Sequence, residues 1–253
     1  MPIAIEKKER RISIAWERPP LNVLDIALLH ELDQALSKCA DDTGADIVVL
    51  KGAGARAFSA GVDIRDHTKE KVPEMLEVVH GVVRKLLALP QVTVAAVRGA
   101  CLGGGCEIAC SCDLIVASEE SSFATPEIRV GCYPPVALAR FSQLIGYHRT
   151  AEMIFTGRRF SAQEAYTMGL INRVFTSDQF DFELDNFLKE LSTQSGAVLR
   201  IAVKGLRALS LKEFEQALRY SEELYCGELL QTADVEEGIE AFLKKRPPVW
   251  KHR

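Results

Sequence analysis

No stretch of 18 residues is both apolar and free of charge, so nothing in the chain reads as a membrane-spanning helix. There is no basic excess either: 31 Lys and Arg stand against 35 Asp and Glu, a formal net charge of −4 over 253 residues. A nucleic-acid surface needs a basic stripe that releases counterions from phosphates. The densest basic cluster, Lys7, Lys8, Arg10 and Arg11, is broken by Glu9 and suits a solvated edge strand. The chain has no C-x2-C pair. Four of its seven cysteines, Cys101, Cys106, Cys110 and Cys112, follow a C-x4-C-x3-C-x-C spacing that matches no zinc site, and small apolar neighbours mark them as packing thiols. No metal is expected. The opening MPIAIEKKERR puts charge after apolar residues, the reverse of a secretory leader. Unpaired thiols without such a leader lead us to expect a cytoplasmic protein. No fixed-period repeat or low-complexity segment occurs.

What is present is an ordinary globular composition, 47% apolar and 26% charged. A chain of this length buries roughly 70–75% of its unfolded surface and needs no staples. Short strands are expected near Ile3–Ile5 and Arg11–Trp16, with Pro19-Pro20 ending the second. Asp25 can cap a helix whose Ile26, Leu29, Leu32 and Leu36 recur at spacings of three and four. Ile47–Leu50, Thr93–Val97 and Leu114–Ala117 are bare apolar runs of buried-strand length. A helix over about Pro73–Leu89 carries Met75, Val79, Val82 and Leu86 on one face, and a short one is expected around Cys106–Cys112. From Val136 the pattern is mostly helical, broken at Gly146, Gly157 and Gly169, with one strand near Ile171–Phe175. Strand–helix alternation with bare strands predicts an α/β fold around a parallel sheet.

Between Arg98 and Arg129 there is no Lys or Arg, yet five acidic residues occur. Glu119 and Glu120 sit in a polar turn, and Asp113 suits a turn after a short helix. Glu107, inside GGGCEIAC, has no local cation to offset desolvation. A helix-capping role is the plainer alternative. Glu127, in ATPEI, is similar, with a surface-loop acid as its plainer reading. Gly103-Gly104-Gly105 follows a strand and opens a helix, so backbone N–H groups can face an incoming anion. Arg56–Ile64, RAFSAGVDI, offers a second such loop. Either could be only a tight turn. Two donor loops with two carboxylates suit chemistry through an oxyanion.

With PPLNVLD, RAFSAGVDI, RGACLGGGCEIACSCDLIVAS, ATPEIRVG, TGRRFSAQEAYTMGLINRVF and EEGIEAFLKKRPPVW in order along nearly its whole length, the chain resembles the crotonase, or enoyl-CoA hydratase/isomerase, family. The resemblance implies a spiral of ββα units, here residues 1–195, and a helical C-terminal region, 196–253, that joins homotrimers, often paired into homohexamers. It implies an acyl-CoA substrate, with coenzyme A part of the substrate and no separate cofactor. It places the oxyanion-hole N–H groups on Val62 and Gly104 and the CoA site around Arg56, Ala60 and Arg65. Phe242 and Lys245 match positions that reach a neighbouring subunit's CoA in some members. Family hydratases carry two catalytic glutamates twenty residues apart, and Glu107 and Glu127 match them, so hydration of a conjugated C=C is expected. Glu107 should stay ionised to handle water, and Glu127 should hold a proton for the adjacent carbon. One departure stands out: Pro135 falls where hydratases have a glycine whose N–H helps hold the water, and proline has none. The PP-V-A segment and PLNVLDIALL resemble hydratases of cyclohexa-1,5-diene-1-carbonyl-CoA in anaerobic aromatic degradation. Linear acyl-CoA hydration or isomerisation is the alternative. Remoter ones are a non-catalytic acyl-CoA-binding member and an NAD-binding oxidoreductase, the latter because Gly52–Ala57 fits G-x-G-x-x-A after a strand.

Overall fold

A computed structural model describes residues 2–252. The chain opens with a hairpin of β1 (Ile3–Lys8) and β2 (Arg11–Trp16), then helix α1 (Ile26–Asp41). Asp25 caps α1 by accepting the Leu28 N–H at 2.9 Å, and the helix buries Leu28, Leu29, Leu32, Ala35 and Leu36. Three spiral turns follow. Each sends one strand into a large sheet and, after a sharp turn, a second strand into a small sheet. They are β3 (Ile47–Gly52) with β4 (Ala57–Ser59) before α2 (Val72–Ala88); β5 (Val92–Val97) with β6 (Ala100–Leu102) before α3 (Gly104–Ala109); and β7 (Leu114–Ser118) with β8 (Ser122–Ala124) before α4 (Pro135–Ile145) and α5 (Tyr147–Thr156). Then come β9 (Phe160–Ser161), α6 (Ala162–Thr167), β10 (Arg173–Phe175), α7 (Phe180–Ser192), α8 (Gly196–Gly227) and α9 (Ala233–Leu243).

The large sheet runs β1-β2-β3-β5-β7-β10 and is parallel from β2 onward. The small sheet runs β4-β6-β8-β9. The expected α/β spiral of ββα units is therefore what forms. The small sheet was not expected; its strands are two or three residues long, too short to show a period. Gly52–Ala57 leads from β3 into β4, so no helix opens there as a dinucleotide fingerprint requires. Three of the four residues of the basic cluster pair within the chain, Lys7 with Asp42, Arg10 with Asp46 and Arg11 with Asp185. No helix among the described residues is long and apolar enough to cross a membrane.

The C-terminal helices share the main core through Phe214, Leu218, Tyr225, Val235 and Ile239. Arg207 fixes α8 to it. Buried, it donates to the carbonyls of Leu86, Leu87, Leu89 and Gln91 and to both oxygens of Asp113, at 2.5–3.3 Å. Asp113 also accepts the Thr93 N–H at 2.7 Å. It is thus a cross-brace between α8 and β5, more than the turn residue its sequence suggests. Helix α9 folds back so closely that a Cβ on Gly238 would lie 2.3 Å from the Val130 carbonyl oxygen.

Candidate active site

One cavity of about 680 Å³ lies between the small-sheet loops, α2 and the C-terminal helices. Val62 and Gly104 both line it. Leu24 pairs with Val62 as an isolated parallel bridge: Leu24 N–H donates to the Gly61 carbonyl and Asp63 N–H to the Leu24 carbonyl, each at 2.9 Å. The bonds on either side of Val62 are thereby used, and its own N–H faces away from Leu24, without an acceptor among the described residues. The short helix expected near Cys106 starts two residues earlier, so Gly104 is its first residue and its N–H has no partner within the helix. The loops touch: a Cβ on Gly104 would sit 2.7 Å from Val62 Cγ2 and 3.8 Å from Val62 N. Gly103 has φ +54°, and a Cβ there would lie 2.8 Å from Glu127 Oε1, so only glycine fits.

Glu107 and Glu127 face the same cavity. Glu107 is almost fully buried. Its Oε1 accepts the Ala137 N–H at 2.9 Å, at the start of α4. The donors that hold it therefore come from a neighbouring helix rather than its own. Burial outweighs them and raises Glu107 to about 7. Glu127 is pushed well above the carboxylate range, first by burial and then by the charge on Glu107. Its Oε2 is buried without a hydrogen-bond partner among the described residues. Pro135 lines the cavity as the first residue of α4, where an N–H would have no helical partner anyway. The missing donor thus leaves no gap in the helix, and the following turn serves Glu107.

At the mouth, Ala60, Arg65 and Phe242 line the cavity, joined by Arg18, Arg129 and Arg246. Arg65 is held by Asp63, with Nε to Oδ1 at 2.9 Å. Arg129 has no carboxylate partner among the described residues; its guanidinium reaches only the Thr156 carbonyl, at 3.4 Å. Arg56 and Lys245 do not line the cavity. Arg56 is exposed on the loop before β4, at the end of that strand away from Ala60, and Lys245 is exposed in the turn that ends α9. Phe242 lines this chain's own cavity because α9 folds back over it. Sequence reasoning missed Arg18, Arg129 and Arg246, although Arg129 and Arg246 stand inside the quoted motifs, and it missed Tyr133, Tyr225 and His80 on the inner wall.

The model of a family described as enoyl-CoA hydratase/isomerase matches residues 6–253. The chain belongs to that family. It is 32% identical over 249 residues to a cyclohexa-1,5-dienecarbonyl-CoA hydratase of Thauera aromatica, covering 98% of this chain and 96% of the relative. It is also 32% identical over 253 residues to a short-chain-enoyl-CoA hydratase of Clostridium acetobutylicum, covering 96% and 95%. A crystal structure of an enoyl-CoA hydratase from Mycobacterium avium subsp. paratuberculosis K-10 superposes with a TM-score of 0.90 at 28% identity, covering 99% of each chain. The family's spiral fold and helical C-terminal region are both present, and the chain is an enzyme whose named relatives are hydro-lyases.

Proposed function

We propose that this enzyme adds water across a C=C conjugated with an acyl-CoA thioester. The observation that carries the reading is one cavity holding two N–H donors, neither with an acceptor among the described residues, beside two buried carboxyl groups of unequal acidity. The thioester oxygen would lie between the N–H groups of Val62 and Gly104, each worth about 2.7–4 kcal/mol as negative charge develops there. Glu107, near neutrality, has Oε1 tied to Ala137 and keeps Oε2 for the water it deprotonates. Glu127, whose carboxyl burial and the Glu107 charge hold well above the carboxylate range, gives its proton to the carbon next to the thioester. No step needs a metal or a cofactor beyond the coenzyme A of the substrate. Arg65, Arg129 and Arg246 at the mouth suit its phosphates.

For the acyl group we propose a cyclic conjugated dienoyl thioester such as cyclohexa-1,5-diene-1-carbonyl-CoA. Pro135, Tyr133 and Tyr225 form a stiff wall, which holds a flat ring at little ordering cost and leaves a flexible chain misaligned. The Thauera aromatica relative supports this reading; the clostridial one supports linear substrates. We further propose a cytoplasmic homotrimer or homohexamer, with the exposed Val198, Ile201 and Leu206 of α8 available for packing. The test is loss of thioester-conjugated ultraviolet absorbance with the cyclic dienoyl-CoA and with crotonyl-CoA. A higher kcat/KM on the ring is expected. Equal or reversed preference removes the cyclic assignment, and no hydration of either removes the hydratase.

A further inference from the structure

The deep end of the cavity holds a polar side chain that the proposed hydration does not use. His80, on α2, lines the cavity and is fully buried. Its Nδ1 lies 2.6 Å from Glu222 Oε1 on α8. That bond holds Glu222 below its ordinary range, so the carboxylate accepts and Nδ1 carries the hydrogen. Arg84 donates to the same oxygen at 3.1 Å and fixes it. With Nδ1 engaged by Glu222, Nε2 is buried and without a partner among the described residues. Buried polar atoms are rarely left unpaired without a role. Here the unpaired atom belongs to a residue that lines the reaction cavity.

Its place along the cavity decides what it would meet. Glu107 belongs with the donor loops, since a Cβ on Gly104 would lie 3.9 Å from its Oε2. The cations mark the open mouth. His80 belongs to the innermost wall, with Met75, Leu76 and Val79 on α2 and Tyr225 on α8, all buried. An acyl group anchored by its thioester oxygen at Val62 and Gly104 presents its first carbons to the two glutamates and its more distant carbons to His80.

We propose that His80 is a third proton-handling residue, whose Nε2 takes a proton from and returns it to the γ carbon of an α,β-unsaturated acyl-CoA, with Glu222 as its positioning residue. This rests on the oxyanion site described above. In the step, the γ C–H bond breaks and the proton goes to Nε2. The electron pair moves through the conjugated system to the thioester oxygen, where the Val62 and Gly104 N–H groups hold the dienolate. Reversal restores the C–H bond, and nothing is oxidised or reduced. The site thereby suits acyl groups whose enolate is extended by a second C=C.

Crotonyl-CoA incubated with the full chain in D2O tests this, reading deuterium at C4 by NMR and hydration by absorbance. The wild type should exchange C4. His80→Gln should lower the ratio of C4 exchange to hydration by at least about tenfold. Glu222→Gln, whose amide oxygen still accepts from Nδ1–H, should retain more exchange than Glu222→Leu; this pair decides the matter should His80→Gln fail to fold. Absent wild-type exchange, an unchanged ratio in His80→Gln, or equal exchange in the two Glu222 variants overturns the proposal. C4 exchange with no hydration of either crotonyl-CoA or the cyclic dienoyl-CoA would defeat the hydratase reading and leave this one standing.

Discussion

Replacing Glu107 by Gln should destroy activity and yet make the protein more stable above neutral pH. Burial moves this carboxyl from 4.5 to about 7, and no cation among the described residues pairs with it. The folded state therefore binds its proton more tightly than the unfolded chain does. Stability is undiminished by this group below about pH 4.5, falls as pH rises from there to about 7, and is flat above. At about 1.4 kcal/mol per pH unit, ionised Glu107 costs the fold about 3 kcal/mol at pH 8. Glutamine keeps the shape and an oxygen for the Ala137 N–H but carries no charge, so it recovers most of this, less the difference between a charged and a neutral hydrogen bond. Urea unfolding of both forms at pH 5 and pH 8 reads the effect. Protein concentration must be fixed, because association would shift the midpoint. The variant should gain about 2–3 kcal/mol at pH 8, little at pH 5, and lose roughly 10²–10⁴-fold in kcat. A variant no more stable at pH 8 than the wild type would refute the account of Glu107 as a charge held at a cost for catalysis.

Gly103→Ala should lower kcat/KM by at least about tenfold, because it strains a positive φ and drives a methyl onto Glu127 Oε1; steady-state kinetics at saturating and limiting substrate check it. Arg207→Leu should cost about 3–5 kcal/mol in chemical denaturation, since it takes the paired cation from Asp113 and a donor from each of four carbonyls. Pro135→Gly should raise crotonyl-CoA hydration relative to the cyclic dienoyl-CoA in paired kcat/KM assays, since it loosens the wall and supplies an N–H beside Glu107.

The large sheet was readable because a strand covered on both faces is a bare apolar run. Ile47–Leu50, Thr93–Val97 and Leu114–Ala117 all fall within observed strands. The small sheet carries no such mark, because strands such as Ala100–Leu102 are held by their pairing more than by their composition. The two glutamates and the glycine loops could be read because a carboxylate among small apolar residues has no local reason to be there. His80 could not. It sits in an amphipathic helix whose apolar stripe explains its neighbours, and its partner Glu222 is 142 residues away. Arg207 was hidden the same way, as an ordinary charge in a helical stretch, until α8 packed over β5. The helix that supplies Glu107 with its donors begins 28 residues after it, a distance no local pattern spans.

The central claim is that Val62 and Gly104 hold the thioester oxygen while Glu107 and Glu127 act on the carbons beside it. A crystal structure with a bound 3-hydroxyacyl-CoA tests it directly. The thioester oxygen should lie about 2.7–3.1 Å from both N–H nitrogens, with the hydroxyl within hydrogen-bond reach of Glu107 Oε2. A carbonyl directed away from those two donors, or a hydroxyl remote from both carboxyl groups, would contradict it.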